Sequence, residues 1–420
     1  MNKREFLRTA GGAGLGLLIG DNLWAKYAPL PPAVLATEEE FWDALRSKYR
    51  LTSDYINLES GYYSMMPQPV LEAFVERARQ INYEHSRYYR TRLIPDKTAM
   101  RDKLAVLAGC APEELIITRN TTESLDTVIT GYDWKPGDEA IMAEQDYGAM
   151  RDQFKLMARR YGMVPVSISV PTDPKSDAEI VDLYAKAITP KTRLLMVCHI
   201  INITGQILPV RKIADMAHAR GVDVMVDGAH AFAHLDYKIP DTGADFYGAS
   251  LHKWLGCPLG TGLLYVKKDK IAKLWPVFAE EGIPDDDIRK LNHTGTHPAH
   301  TDLTIEHAIV FHNDIGSARK EARLRYLKNY WVSKVRDVPN VVMYTPADPS
   351  RSAAIANIGI KGKPAGELSK ALLDNHRIWT VGINRPAAGV NGARITPHLF
   401  TTTKELDAFV AAIRSIAASA

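Results

Sequence analysis

Between residues 115 and 266 the chain sets short apolar runs against amphipathic stretches of helical period, and this alternation restricts the fold more than any other feature. The runs are Leu115–Thr118, Glu139–Ala143, 164–169, 194–199, 222–226 and Gly262–Val266. Strands buried on both faces read as continuous apolar runs rather than as an in-out alternation. The expected fold is therefore α/β: a mostly parallel sheet covered by helices, with ligands at the carboxyl ends of the strands. A smaller C-terminal α+β unit is expected after a helical stretch over 315–335. It contains apolar runs at 341–344 and 353–360, a helix over 366–375, a loop over 381–392, and a final helix. These limits divide the chain into 1–25, an arm over 26–54, a large unit over 55–314 and a small one over 315–420.

The first 25 residues read as a targeting segment. Lys3, Arg4 and Arg8 precede a small and apolar stretch from Thr9 to Gly20, and Leu23-Trp24-Ala25 offers a cleavage site. The stretch is too short to span a bilayer, so no stable membrane span is expected. Lys3-Arg4-Glu5-Phe6-Leu7 resembles the twin-arginine export motif, with lysine in place of the first arginine. It implies passage through the twin-arginine machinery as a folded protein and a periplasmic location. The net charge of +3 and the lack of basic runs interleaved with aromatics argue against nucleic acid. Cys110, Cys198 and Cys257 match neither a disulfide framework nor a zinc knuckle, and no metal is expected.

Three segments carry the candidate chemistry. Lys253 lies in Ser250-Leu251-His252-Lys253-Trp254, ahead of a glycine-rich turn. A lysine that forms an imine must spend time as a neutral amine, which partial burial favours. Asp227 ends the 222–226 run in Asp227-Gly228-Ala229-His230, where its carboxylate can pair with a protonated pyridine nitrogen or simply cap the next helix. Gly228 and Ala229 are expected to leave room for a flat ring. Asn120-Thr121-Thr122-Glu123 comes after a strand and opens a helix, supplying free amides and hydroxyls for an anion or serving as a plain cap.

Together these segments resemble the class-V aminotransferase family of pyridoxal 5′-phosphate (PLP) enzymes, from about Tyr55 to the last helix. The resemblance implies PLP-dependent transferase fold type I and a homodimer with shared active sites. It further implies that Lys253 holds the cofactor, that Thr121, Thr122, Ser250 and His252 bind its phosphate, and that Asp227 faces its pyridine nitrogen. Tyr147 would stack on the ring, pointing toward the isopenicillin-N epimerase-like branch. Asn202 and His230 would lie near its phenolic oxygen, Thr296 would reach the phosphate of the neighbouring subunit, and Arg394 would grip the substrate carboxylate. Arg90 and Arg92 are candidates for the entrance. Cysteine desulfurases need a thiol before that arginine, and residues 381–392 contain none, so a persulfide mechanism is not expected. The expectation is chemistry at the α-carbon of an amino acid or amino-acid-bearing peptide, of aminotransferase or epimerase type. β-Elimination, or a PLP-fold binding module without turnover, is the alternative.

Overall fold

The computed structural model describes Gly16 and residues 19–419; most of the proposed targeting segment lies outside them. Of that segment, Leu23-Trp24-Ala25 falls within a helix, Asp21–Tyr27. Among the described residues no helix is long and apolar enough to cross a membrane.

Strands run along the chain as β1 (Ile56–Asn57), β2 (Leu115–Thr118), β3 (Glu139–Ala143), β4 (Val164–Ile168), β5 (Thr192–Cys198), β6 (Asp223–Asp227), β7 (Phe246–Ser250) and β8 (Gly262–Val266). The C-terminal unit adds β9 (Val341–Met343), β10 (Ala356–Ile360), β11 (Ile378–Trp379), β12 (Val381–Arg385) and β13 (Val390–Ile395). The large sheet has the order β2-β8-β7-β6-β5-β3-β4. Its strands are parallel except β8, which runs antiparallel to both neighbours.

Side chains alternate between the faces of this sheet. Val224 and Val226 of β6 join one apolar core with Leu195, Val197 and Leu263, while Met225 joins Met196, Phe246 and Leu264 in the other. Helices cover both faces, which is why the strands are apolar throughout. Strand β7 is absent from the sequence expectation because Gly248 and Ala249 interrupt its apolar run. The structure needs them small: a Cβ on Gly248 would stand 2.8 Å from Leu125 of the covering helix.

The second sheet, β12-β13-β10-β9, packs on the helices Ser317–Val335 and Thr403–Ala418 through Leu327, Trp331, Ile358, Ile395 and Phe409. Two local expectations need correction. Residues 381–392, read as a loop, form most of a β-hairpin in which β12 and β13 pair from Val381↔Arg394 to Arg385↔Val390. Residues 56–58, read as part of the large unit, join the C-terminal one: β1 pairs with β11, and Leu58 enters its core. That pairing spans more than 300 residues of sequence, a separation at which local patterning carries no signal.

Candidate active site

The carboxyl ends of β2, β3, β5, β6 and β7 open on one cavity of about 330 Å³, a size suited to a small ligand. Its walls include Thr121, Thr122, Tyr147, Asn202, Asp227, His230, Ser250, His252, Lys253 and Arg394. Each comes from a turn or strand end just past the sheet, apart from Arg394, which β13 brings in from the second unit.

Thr121 opens the helix Thr121–Gly131, whose N-cap Asn120 accepts from the Glu123 N–H at 2.8 Å. The glutamate does not return to the cap; its carboxylate accepts from the Arg119 N–H instead. Thr121 donates its N–H to Ser250 Oγ at 2.9 Å, and the two hydroxyls lie 2.8 Å apart. Gly262 permits this arrangement, since a Cβ there would meet the Asn120 backbone at 2.7 Å. His252 donates from Nδ1 to the Thr261 carbonyl at 3.1 Å, and burial pushes its pKa down to about 4. Hydroxyls, a helix start and an imidazole edge thus converge as an anion cradle.

Asp227 is buried and accepts from the Ala229 N–H at 2.9 Å, with Cys198 Sγ 3.9 Å from its other oxygen. Burial raises its pKa, against the hydrogen bond and the nearby Lys253. It turns the backbone after it and still lines the cavity; the expectation that it caps the next helix is corrected, because a run of turns and no helix follows it. The space beside Gly228 belongs to the protein: a Cβ there would overlap the Tyr247 ring at 1.9 Å. The expectation that Gly228 makes room for a ligand ring is therefore corrected, because that volume is filled by Tyr247. Ala229 does line the cavity.

The Lys253 amine is pushed down to about 8, chiefly by burial; Asp227 pulls it up, Arg394 down and Glu59 up. Its Nζ lies 3.2 Å from Nε2 of His230, whose own pKa burial drives well below the ordinary value. Arg394 is buried and tied to Glu59, which sequence reasoning missed. Nη2 donates to Oε1 at 2.6 Å and Nε to Oε2 at 3.2 Å, while Nη1 donates to the Asn202 carbonyl at 3.2 Å. A Cβ on Gly61 would press on this guanidinium at 2.9 Å. Glu59 occupies the side-on fork, so the end-on fork formed by Nη1 and Nη2 is the one left for a ligand carboxylate. The acidic residue at 59, just after a short apolar run, was the available signal, but its partner is 335 positions away.

Tyr147, the residue before the helix Gly148–Tyr161, stands on the cavity wall at 43% exposure. Three sequence candidates lie elsewhere. Thr296 lines a second cavity, of about 500 Å³, with Tyr89, Lys97, Arg101 and Arg289. Arg90 and Arg92 lie near the end of the helix Gln68–Thr91, Arg92 exposed and pairing with Glu84 and Asp96. Within one chain none of these three reaches Lys253's cavity, and an entrance role for the two arginines finds no support there.

The aminotransferase class-V family model matches residues 56–382. The chain belongs to the class-V aminotransferase family. Relatives include isopenicillin N epimerase of Streptomyces clavuligerus, 27% identical over 392 residues covering 89% of this chain and 98% of the relative. A probable cysteine desulfurase of Halobacterium salinarum is 29% identical over 383 residues, covering 86% and 91%. Among solved structures, the apo cysteine desulfurase of Thermococcus onnurineus NA1 superposes with a TM-score of 0.80 at 21% identity, covering 89% of this chain and 98% of that one. A C-DES variant with glycine covalently linked to its PLP cofactor gives 0.79 at 21% identity, covering 88% and 98%. The class-V fold is thus PLP fold type I, and the cofactor is pyridoxal phosphate. The cavity fits it: an amine, a buried carboxylate and an anion cradle are present, and Asn202 Oδ1 is buried with no partner. The relatives span both epimerases and desulfurases, so the expectation against persulfide chemistry rests on cysteine placement alone.

Proposed function

We propose that this class-V enzyme acts at the α-carbon of an amino acid or amino-acid-bearing peptide, by transamination or epimerisation. The observation that carries the reading is that Lys253, Asp227, the Thr121–Ser250 cradle and the open fork of Arg394 share one cavity. On this reading Lys253 holds the cofactor's aldehyde carbon and Thr121, Thr122, Ser250 and His252 hold its phosphate. Asp227 would pair with the pyridine nitrogen, Asn202 would meet the phenolic oxygen, and Tyr147 would cover the ring. Bound PLP supplies an electron sink that acidifies the substrate's α-C–H. The Asp227 carboxylate keeps the pyridine nitrogen protonated, which sustains that sink. Arg394, oriented by Glu59, fixes the substrate carboxylate through its end-on fork. Once the substrate's own amine displaces it from the cofactor, Lys253 Nζ, which burial makes easier to deprotonate than an ordinary lysine, would take the α-proton, and the site to which a proton returns would select the product.

Cysteine placement supports a mechanism without a protein thiol. The hairpin that carries Arg394 has no cysteine, and Cys198 and Cys257 are buried with thiols pushed up by desolvation. Turnover in deuterated water tests the reading. Deuterium at the α-carbon with inverted configuration marks epimerisation, and a keto product formed without release of ammonia marks transamination. Sulfide or alanine released from cysteine would refute the assignment in favour of a lyase or desulfurase. Absence of any absorbance change with a broad amino-acid panel would favour a binding module. For the anchor, Lys253→Ala is expected to lose borohydride-fixable cofactor, and retention of it there excludes Lys253.

Two further proposals concern assembly and location. Thr296 completes the phosphate site of a second copy, supported by its distance from the chain's own cavity; a monomeric holoenzyme with full activity in sedimentation and assay overturns this. The chain is exported by the twin-arginine machinery to the periplasm, supported by the basic and apolar start of the sequence. A signal fusion that stays cytoplasmic, or leaves without that machinery, refutes it.

A further inference from the structure

Behind Lys253 lies a buried aromatic and imidazole layer that the proposed chemistry does not use. The indole of Trp254 is 1% exposed and lies between His234, at 3.8 Å between ring centres, and His398, at 5.5 Å. His234 accepts the Ala354 N–H at Nε2 (2.9 Å), so its proton sits on Nδ1 and is donated to the His230 carbonyl at 2.7 Å. This ring is therefore a fixed neutral support. From it the Trp254 indole Nε1 reaches His230 Nδ1 at 3.3 Å.

An indole N–H can only donate. His230 Nδ1 must then be the accepting nitrogen, and the proton of the neutral ring belongs on Nε2, the atom 3.2 Å from Lys253 Nζ. A protonated lysine has three donors and no acceptor, so it opposes a second donor at that distance. A neutral amine accepts from it. We propose that Trp254 is a positioning residue: its indole N–H fixes His230 in the Nε2–H tautomer, so that the lysine nitrogen meets a donor, which favours its neutral, nucleophilic form over the protonated one. The inference rests on the reading of Lys253 as the cofactor anchor. The charged and titratable groups facing Lys253 are Asp227, Arg394, Glu59, Cys198 and His230, with His252 influenced in turn; those facing His230 are Lys253, Arg394 and His234.

The test uses the full apo chain labelled with ¹⁵N-histidine, with the His230 signals assigned by their loss in His230→Gln. The wild-type ring is expected to carry its proton on Nε2; a proton on Nδ1 overturns the proposal with no further variant needed. Replacing Trp254 by β-(benzothien-3-yl)alanine keeps the bicycle and removes only the N–H. A mixed or inverted tautomer is then expected, and an unchanged one overturns the proposal. The Lys253 titration midpoint, read from ¹³C-methylated amine resonances, is expected to rise by about half to one pH unit with loss of the hydrogen bond. A fixed midpoint also counts against the proposal. Failure of Lys253 as the anchor shows separately, as borohydride-fixed PLP retained on Lys253→Ala, and leaves the tautomer result standing.

Discussion

Replacing Arg394 by glutamine should raise the titration midpoint of Lys253, and replacing Glu59 by glutamine should lower it. The amine is held near 8 against an ordinary 10.5, so at pH 7 about one molecule in ten carries it neutral, where an ordinary lysine gives about three in ten thousand. That difference, roughly three-hundredfold, is the supply of nucleophile. Burial is the main cause, but Arg394 pushes the value down and Glu59 pulls it up. Arg394→Gln removes a repelling cation and leaves Glu59 without its partner. If Glu59 stays charged the rise is full; if it takes up a proton the rise is smaller but keeps its sign, because Arg394 pushes the lysine down more than Glu59 pulls it up. Glu59→Gln leaves the guanidinium unbalanced and works the other way. A unit charge several ångströms away in a medium of effective dielectric about 20 moves a midpoint by about one to two pH units. One unit upward would cut the neutral fraction at pH 7 about tenfold. The assay is reductive ¹³C-methylation of the apo chain, with the Lys253 signal assigned by its absence in Lys253→Ala and titrated from pH 6 to 11. A wild-type midpoint near 10.5, or shifts of the same sign in both variants, would refute the reasoning.

Gly228→Ala should destabilise the fold by about 1–3 kcal/mol through overpacking, since its Cβ would overlap Tyr247, whose hydroxyl is held by Tyr237. Gly366→Ala, with nothing near its Cβ in a helix, serves as a control expected to be neutral or stabilising, and equal denaturation midpoints for the two would contradict the packing argument. Acidification from pH 6.5 to 5 should weaken the apo fold. Five buried histidines, His230, His234, His252, His312 and His398, and the half-buried His199 have folded values depressed below 6.5, so the unfolded chain binds protons that the folded one refuses. Asp126 and Asp146, pushed up to about 7 by burial, and Asp314, pushed up to about 6, oppose this. The net grows from about one proton at pH 6.5 to about three near pH 5, roughly 1.5 rising to 4 kcal/mol per pH unit, and chemical denaturation that is flat across this window would overturn it.

What the sequence by itself determined was local. Strands such as Val224–Val226 announce themselves because burial on both faces leaves no polar alternation to blur them. The phosphate cradle and the Asp227 and Lys253 turns are legible for a related reason: each is a few contiguous residues at a strand end. Strand β7 escaped because close helix packing demanded Gly248, and a small residue carries no apolar signature. The hairpin of β12 and β13 escaped because its glycines, asparagines and arginines break the apolar pattern, although β13 is buried apart from Asn391.

Tertiary structure decided what converges. Glu59 meets Arg394, and the Trp254 indole meets His230, through contacts that depend on side-chain direction and on segments far apart in the chain packing side by side. Tyr247 fills the space expected beside Gly228 for a ligand, and Thr296 and Arg90 stand apart from the cavity. Periodicity records which face of an element is buried, but ion pairing and hydrogen-bond direction arise between elements far apart in the chain. They exist only once the backbone has brought those elements within a few ångströms.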